Sequence, residues 1–210
     1  MISKLQYITQ GESVEDHVAL VEELAPHLDW IQLRLKDVSE IEYIEAAMVC
    51  REITKSYDCK LIINDNVVVA LASDADGVHL GQNDMAIKDA RKVLGDDIII
   101  GGTANTIEEI QEHYENGVDY VGVGPYQFTT TKKNLSPTLG IEGYQNLIEK
   151  MSSAQINIPM IAIGGIDIED VAQLKRNGVS HFAFSGAITN SANRIEKITE
   201  LNKIIDHVEA

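Results

Sequence analysis

Three polar side chains share one face of a strand-like segment early in the chain. Side chains alternate along a strand, so Gln32, Arg34 and Lys36 point to one side and the leucines between them to the other. A parallel strand that helices cover on both faces is normally apolar, and a solvated sheet edge fits poorly with a strand between two helices. The pattern therefore favours a strand end that lines a functional site, where a guanidinium and an ammonium group suit a polyphosphate.

Two carboxylates follow two other strand-like segments. Asp65 comes directly after Ile62-Ile63-Asn64, and Asp84 comes four residues after Leu80. Either residue by itself could simply cap the helix that follows it. Two such carboxylates on neighbouring strands, beside a predicted pair of cations, favour Mg²⁺, which takes few protein oxygens and completes its shell with water and phosphate oxygens.

The last two strand-like segments indicate a second anion site. One is followed by Gly164-Gly165 and the other by Ser185-Gly186, each before a helix. A glycine pair alone indicates no more than a tight turn. At adjacent strand ends, however, backbone N–H groups and a helix N-terminus can together hold one phosphate.

A long segment without periodicity lies between these two sites, from Gly124 to Asn134. Loops of this length in a compact barrel are more often functional than not. Its hydroxyls and lysines, which include Thr129, Thr131 and Lys132, predict a flap that closes over an anionic ligand. A metal-bound diphosphate beside a second, monophosphorylated substrate indicates a transfer reaction in which pyrophosphate leaves. The strand ends offer charge stabilisers and no obvious nucleophile or base, which suits catalysis by positioning and electrostatics.

The elements that must position these residues alternate regularly between short β-branched runs and longer stretches with helical spacing. This alternation predicts parallel strands, because a parallel neighbour needs a crossover connection. The predicted strands are Leu5–Ile8, Trp30–Leu35, Lys60–Ile63, Gly77–Leu80, Ile98–Gly101, Asp119–Val123, Pro159–Ile163 and Phe182–Phe184. Helix starts are predicted at Ser13 and Thr106, each with an acid three residues later.

An internal repeat favours a closed barrel over an open sheet. The segment Asn116-Gly117-Val118 recurs as Asn177-Gly178-Val179, each time between a helical and a strand-like stretch. The glycine-rich turn that a dinucleotide-binding sheet carries after its first strand is missing. We therefore predict an α/β fold, a single-domain TIM (β/α)8 barrel that spans residues 1–210, with its active site at the carboxyl ends of the strands.

The net charge of −16 restricts the partners of the chain. Nucleic acid and acidic membranes would be repelled, so neither is expected, and no transmembrane segment or signal peptide is predicted. Small phosphorylated molecules remain as expected partners, and homo-oligomerisation stays open. Cys50 and Cys59 form no metal-binding pattern with the histidines. They are interpreted as reduced cytosolic thiols, which predicts a cytoplasmic protein.

Six motifs, each at a predicted strand end and in order along the chain, resemble the thiamine phosphate synthase family, also called thiamine-phosphate pyrophosphorylase. They are Gln32-x-Arg34-x-Lys36, Ile63-Asn64-Asp65, Gly77-Val78-His79-x-Gly81-Gln82-x-Asp84, Gly122-Val123-Gly124-Pro125, Thr129-x-Thr131-Lys132 and Ile163-Gly164-Gly165-Ile166. The resemblance implies that a pyrimidine diphosphate loses pyrophosphate with Mg²⁺ assistance. The aminopyrimidine stabilises the resulting methylene cation, and the nitrogen of a thiazole phosphate captures it.

The resemblance also assigns residues to roles. The pyrimidine diphosphate would be held by Gln32, Arg34, Lys36, Asn64 and Lys132, with Thr103 on the pyrimidine. Of these, Arg34, Lys36 and Lys132 are the predicted catalytic residues. Mg²⁺ would be held by Asp65 and Asp84. The thiazole phosphate would be held by Thr129, Thr131, Gly165, Ser185 and Gly186.

Several positions depart from the family pattern. Thr103 and Gly186 stand where the family usually has serine, and Asn105 stands where it usually has histidine. Three alternatives stay open: a thiazole tautomerase of the same superfamily, a non-catalytic barrel that binds thiamine precursors, and an unrelated phosphate-binding barrel such as an epimerase or an indole-synthesis enzyme. The tautomerase tends to carry histidine where this chain has Pro125 and to lose parts of the diphosphate site. Asp65 and Asp84 argue against the non-catalytic barrel, since a sensor needs no metal to activate a leaving group.

Overall fold

A computed structural model describes residues 2–128 and 137–207 of the chain. The strands of this part are β1 (Leu5–Ile8), β2 (Trp30–Leu33), β3 (Lys60–Asn64), β4 (Gly77–Leu80), β5 (Ile99–Ala104), β6 (Tyr120–Val123), β7 (Met160–Ala162) and β8 (His181–Phe184). The helices are α1 (Val14–Leu24), α2 (Glu40–Lys55), α3 (Val67–Ala72), α4 (Ile87–Leu94), α5 (Ile107–Glu115), α6 (Gly140–Ser153), α7 (Ile168–Arg176), α8 (Gly186–Thr189) and α9 (Arg194–Asp206), with a 3₁₀ turn at Ala25–His27.

The strands form a closed barrel in which each strand runs parallel to the next and β8 returns to β1. Closure is made by pairs such as Leu5 with Phe182. The predicted TIM barrel is confirmed, and each predicted strand is present with ends that shift by up to three residues. On the site side, β5 continues to Ala104, three residues beyond its predicted end. Strand β2 ends at Leu33 and not at Leu35, because the amide of Arg34 donates to the Thr9 hydroxyl (3.0 Å).

Side chains fill the barrel interior as well as the layer between the strands and the helices. The inner cluster consists of Ile8, Trp30, Ile62, Tyr120, Ile161 and Ala183, all nearly or fully buried. Trp30 and Tyr120 meet edge to face with their ring centroids 5.2 Å apart, a favourable geometry for aromatic pairs. This packed interior closes the inner end of the cavity at the strand ends.

The local signals for helix boundaries hold in the structure. Ser13 and Thr106 are N-caps of α1 and α5, and each forms a capping box with the acid three residues later. The repeated Asn-Gly-Val segment ends α5 and α7 through the same hydrogen bond. The amide of Val118 donates to His113 O (3.2 Å), and the amide of Val179 donates to Leu174 O (3.1 Å). The repeat therefore marks two equivalent helix-to-strand turns of the barrel.

Two further features bear on the sequence predictions. Within the described residues, no helix combines the length and the apolar character that a membrane crossing requires.

Cys50 and Cys59 are both free and buried, and burial raises the pKa of each thiol to about 12.

Candidate active site

The carboxyl ends of the strands enclose a cavity of about 470 Å³. Every predicted site residue that the structure describes lines it: Gln32, Arg34, Lys36, Asn64, Asp65, Asp84, Thr103, Gly165, Ser185 and Gly186. Thr129, Thr131 and Lys132 lie outside the described residues. Residues that are up to 154 positions apart in the sequence, such as Gln32 and Gly186, therefore line the same cavity.

Arg34 and Lys36 follow β2 and do not belong to it, which corrects the predicted strand end. The alternation nevertheless continues, since Leu33 and Leu35 are buried in the layer below the helices while Gln32, Arg34 and Lys36 line the cavity. The ammonium of Lys36 forms an ion pair with Asp65. Within residues 2–128 and 137–207, the guanidinium of Arg34 has no carboxylate partner, which leaves it available to an anionic ligand.

Asp65 occupies a tight turn at the end of β3. Its backbone has φ 67°, a left-handed conformation that aspartate adopts more readily than most residues. Its amide donates to His79 O (2.7 Å) and so attaches the turn to β4. The helix that follows is capped by Asn66, whose side chain accepts from the Val69 amide (3.0 Å). The alternative that Asp65 serves as a helix cap is therefore wrong.

Asp84 closes the turn after β4. Its carboxylate accepts a hydrogen bond from the Gly81 amide (2.6 Å). The N-cap of α4 is Ala86, which forms no side-chain cap, so the capping alternative is wrong for Asp84 as well. Both carboxylates are thus held by turns at the rim of the cavity.

The pKa shifts of Asp65 and Asp84 reflect an interaction between their two carboxylates. Burial raises the pKa of Asp84 to about 6, and the negative charge of Asp65 acts in the same direction. Burial also acts to raise the pKa of Asp65, but the hydrogen bond and the charge of Lys36 outweigh it, so that pKa is lowered. Two carboxylates brought this close, with one lysine paired to Asp65, favour a further cation.

The donor set fits Mg²⁺ better than a metal held by protein ligands alone. The described residues contain no group of three or more histidine, cysteine or acidic side chains with metal-binding geometry. Mg²⁺ is commonly bound through one or two carboxylates, with water and substrate phosphates in the remaining positions. Asp65 and Asp84 provide that number of carboxylates next to the cations Arg34 and Lys36.

Within residues 2–128 and 137–207, the amide nitrogens of two buried side chains at the cavity wall have no well-formed hydrogen bond. They are Nδ2 of Asn64 and Nε2 of Gln6, whose side chains are 6% and 2% exposed. Gln6 Oε1 accepts from Gln32 Nε2 (3.3 Å). Buried donors are nearly always satisfied in native structures, so Nδ2 of Asn64 indicates an atom that a ligand satisfies, whereas the Gln6 side chain also has the Tyr120 hydroxyl as a partner. The sequence interpretation included Asn64 and Gln32 but missed Gln6. The signal for Gln6 is that it is a glutamine within an otherwise apolar first strand.

His79 is a second residue whose place the sequence interpretation did not assign. It extends from β4 into the cavity, where Nε2 lies 3.0 Å from the Thr103 hydroxyl and Nδ1 lies 3.1 Å from the Tyr120 hydroxyl. Glycines on β5 and β6 leave room for it: a Cβ at Gly101 would lie 2.6 Å from Nδ1 of His79, and one at Gly122 would lie 3.0 Å from Cε1. Glycines inside strands often mark such close approaches, and this is the signal that could have found the residue.

The ends of β7 and β8 form the other side of the cavity. Gly165 has φ 73°, and a Cβ there would lie 2.9 Å from Gln127 O and 3.0 Å from Phe128 O. The Ser185 hydroxyl donates to Gln10 Oε1 (3.2 Å), so Gln10 joins this side although the sequence did not single it out. The helix that begins at Gly186 has only four residues. Because so short a helix has a weak dipole, individual backbone N–H groups matter more here than the predicted helix terminus.

Comparisons with known proteins agree with this geometry. Residues 5–188 match the thiamine monophosphate synthase family. A thiamine-phosphate synthase from Flavobacterium psychrophilum is 45% identical over 204 residues, which cover 97% of this chain and 99% of that protein. One from Bacteroides fragilis is 46% identical over 175 residues, or 83% and 86% of the two chains.

Solved structures show the same relationship at the level of the fold. A thiamine phosphate pyrophosphorylase from Pyrococcus furiosus superposes with a TM-score of 0.81 and 32% identity, over 97% of this chain and 95% of that one. A 3-hexulose-6-phosphate synthase superposes with a TM-score of 0.69 at 16% identity, over 96% and 99% of the two chains. The latter likeness shows a shared barrel and nothing about chemistry.

Proposed function

Because the chain belongs to the thiamine monophosphate synthase family, we propose that it is a transferase that joins a pyrimidine diphosphate to a thiazole phosphate. The products are thiamine phosphate and pyrophosphate. The observation that carries this proposal is the single cavity in which two cations, a pair of interacting carboxylates and the glycine turns of β7 and β8 face one another. Such a cavity can hold a diphosphate and a second phosphate at the same time.

The diphosphate subsite consists of residues at the ends of β2 and β3. Arg34 and Lys36 supply positive charge, and Asn64 supplies an amide donor that has no partner within the described residues. Gln32, deeper in the barrel, would also hold the pyrimidine diphosphate, and Thr103 on β5 would contact the pyrimidine; both side chains line the cavity. Lys132, which lies outside the described residues, completes the subsite in this proposal.

Asp65 and Asp84 would hold Mg²⁺. When bound, the metal would neutralise negative charge that accumulates on the departing pyrophosphate. The interaction between the two carboxylates supports this assignment, because their mutual repulsion is relieved by a shared cation. Lys36 already offsets part of the charge of Asp65 through its ion pair.

The second subsite would hold the thiazole phosphate. Gly165 and Gly186 are the glycines of the β7 and β8 turns on that side of the cavity, and Ser185 adds a hydroxyl. Backbone N–H groups can hold a phosphate without a positive side chain. Thr129 and Thr131, which lie outside the described residues, are the proposed contacts from the loop.

The bond changes need little from the protein beyond positioning. The C–O bond between the pyrimidine methylene and the diphosphate breaks, and pyrophosphate leaves with the electron pair. The thiazole nitrogen then supplies its lone pair to form the new C–N bond. That nitrogen carries no proton, so no general base is required, and the contribution of the cavity is charge stabilisation and alignment.

We further propose that residues 1–210 act as one catalytic domain and that the protein works in the cytoplasm. The match to the family over residues 5–188 and the closed barrel support the first proposal. The free, buried cysteines support the second.

The decisive experiment is an incubation with both substrates and Mg²⁺ that measures thiamine phosphate and pyrophosphate together. We expect equal amounts of the two products, and no product when either substrate is omitted. A thiazole tautomerase would convert a thiazole isomer without consuming pyrimidine diphosphate. A non-catalytic barrel would bind the substrates and release neither product, so either result would reject the proposal.

A further inference from the structure

Helix α3 lies on the outside of the barrel and contains no polar residue. Its sequence from Val67 to Ala72 is Val-Val-Val-Ala-Leu-Ala. Val67, Val69 and Ala70 are buried against the barrel, but Val68 and Leu71 are 50% and 60% exposed. A helix at the surface of a monomer normally carries polar side chains on its outward face, and a helix that is apolar all round is normally covered.

The neighbouring helix α2 extends this apolar surface. Its flank towards α3 is marked by the Glu40–Asn66 hydrogen bond (3.3 Å) and the Arg51–Asp76 ion pair (2.8 Å). Helical spacing places Met48 beside that flank, with Ile41 two turns earlier on the same stripe. These two side chains are 52% and 70% exposed.

Helix α4 extends the surface on the other side of α3. Its far flank is marked by Arg91, which pairs with Asp119 (2.6 Å) at the start of β6. Val93 therefore lies on the flank towards α3, and it is 52% exposed. We call the surface formed by Ile41, Met48, Val68, Leu71 and Val93 the α3 patch.

The α3 patch has borders of opposite charge. Beyond Met48, the outward face of α2 carries Glu45 and Glu52. Beyond Val93, the outer surface of α4 carries Lys88 and Lys92, the latter in an ion pair with Asp89 of the same helix (2.6 Å). Helix α2 has four acids and two bases, whereas α4 has three bases and one acid. In a chain with a net charge of −16, a basic border of this kind is a local exception.

This arrangement is self-complementary. A two-fold rotation about an axis that runs parallel to α3, between the two copies, places α2 of one copy opposite α4 of the other. The acidic border then meets the basic border twice, and the apolar side chains meet at the centre. An apolar centre with a polar rim is the usual anatomy of an interface, and matched rims favour the correct partner over others.

We propose that the α3 patch is the centre of an isologous dimer interface between two copies of this chain. Glu45 and Glu52 of one copy face Lys88 and Lys92 of the other. The patch lies on the helical side of the barrel, away from the cavity at the strand ends, so each copy keeps an open site.

Sedimentation equilibrium over a dilution series tests the patch. We expect a dimer of the unmodified chain. Leu71→Glu and Met48→Glu should each weaken it by roughly 30-fold or more, the loss typical of a residue at an interface centre. Val49→Glu is the matched control, since Val49 is 50% exposed on the same helix but on the flank away from α3. Circular dichroism should show that all three variants are folded. A monomer at every concentration, or an equal loss in the Val49 variant, would overturn the proposal.

Charge reversal tests the orientation of the two copies. Glu45→Lys/Glu52→Lys and Lys88→Glu/Lys92→Glu should each weaken self-association, because like charges then face each other across the axis. Mixing the two double variants should restore a heterodimer, since both borders become complementary again. A mixture that associates no better than its components would show that α2 does not face α4 and would reject this interface.

Discussion

The ammonium group of Lys36 forms an ion pair with the carboxylate of Asp65 across the ends of β2 and β3. The proposed diphosphate cation and the proposed metal ligand are thus partners before any substrate is bound. Their side chains are 46% and 30% exposed, and pairs this open to water typically contribute less than about 1 kcal/mol. In the proposed reaction, Lys36 would therefore exchange Asp65 for a phosphate at little cost.

The first prediction concerns the metal. Asp65→Ala and Asp84→Ala should each lose most of the activity while the protein stays folded, because either change halves the carboxylate set. Excess EDTA should abolish turnover, and added Mg²⁺ should restore it. Asp206→Ala is a suitable control, since Asp206 pairs with Lys4 far from the strand ends. Full turnover in EDTA would contradict the assignment of both residues.

The second prediction concerns Lys132. Lys132→Ala should lower kcat by about 10²–10³-fold, because the ammonium is proposed to meet charge that grows on pyrophosphate only as the bond breaks. Steady-state kinetics with each substrate varied in turn measures this, with Lys133→Ala as the neighbouring control. An unchanged kcat with a raised KM for thiazole phosphate would instead assign Lys132 to the other subsite.

The third prediction concerns the thiazole phosphate subsite. Ser185→Ala should be mild, since it removes at most one hydrogen bond worth roughly 0.5–1.5 kcal/mol. Gly165→Val should be severe, because φ 73° disfavours a branched side chain and its Cβ would approach the carbonyls of Gln127 and Phe128. Both changes should act mainly on KM for the thiazole phosphate. Equal losses for the two substrates would argue against separate subsites.

The fourth prediction concerns Tyr43, which joins the ends of β2 and β3 from α2. Its buried hydroxyl donates to Leu33 O (2.7 Å) and accepts from the backbone N–H of Asn64 (3.2 Å). Tyr43→Phe should lower the free energy of unfolding by about 1–3 kcal/mol, since it leaves buried backbone groups without a partner. Urea denaturation measures this, and the exposed Tyr57 provides a Tyr57→Phe control. Because Arg34 and Asn64 lie at these strand ends, KM for the pyrimidine diphosphate should rise in Tyr43→Phe as well. Equal stability of Tyr43→Phe and Tyr57→Phe would show that Tyr43 does not join the two strand ends.

The fifth prediction concerns the cysteines. Burial raises the pKa of Cys50 and of Cys59 to about 12, so both stay protonated near neutral pH. Electrophilic reagents that react with thiolates should therefore not modify them in the folded protein. Labelling followed by mass spectrometry should find both thiols only after denaturation. Rapid modification of either thiol under native conditions would show that the structure around it opens.

The sequence by itself determined the architecture and much of the cavity wall. Strands such as Gly77–Leu80 and the capping boxes at Ser13 and Thr106 follow from local periodicity and local hydrogen bonds, which neighbouring residues alone decide. Their alternation predicted parallel strands, and the internal Asn-Gly-Val repeat favoured closure into a barrel. Polar residues at strand ends, such as Arg34 and Asn64, could be placed because all parallel strands end on the same side.

Only the tertiary structure decided which side chains meet. The pair Lys36–Asp65, the contact between His79 and Thr103, and the hydrogen bond between Gln32 and Gln6 each depend on residues from different strands. The sequence left open whether Asp65 and Asp84 cap helices, because cap and metal ligand share the same residue type at the same local position. It also gave no sign that α3 would leave Val68 and Leu71 exposed, because exposure depends on how helices pack around the barrel. Local spacing specifies elements, whereas distances between distant residues arise only when the chain closes on itself.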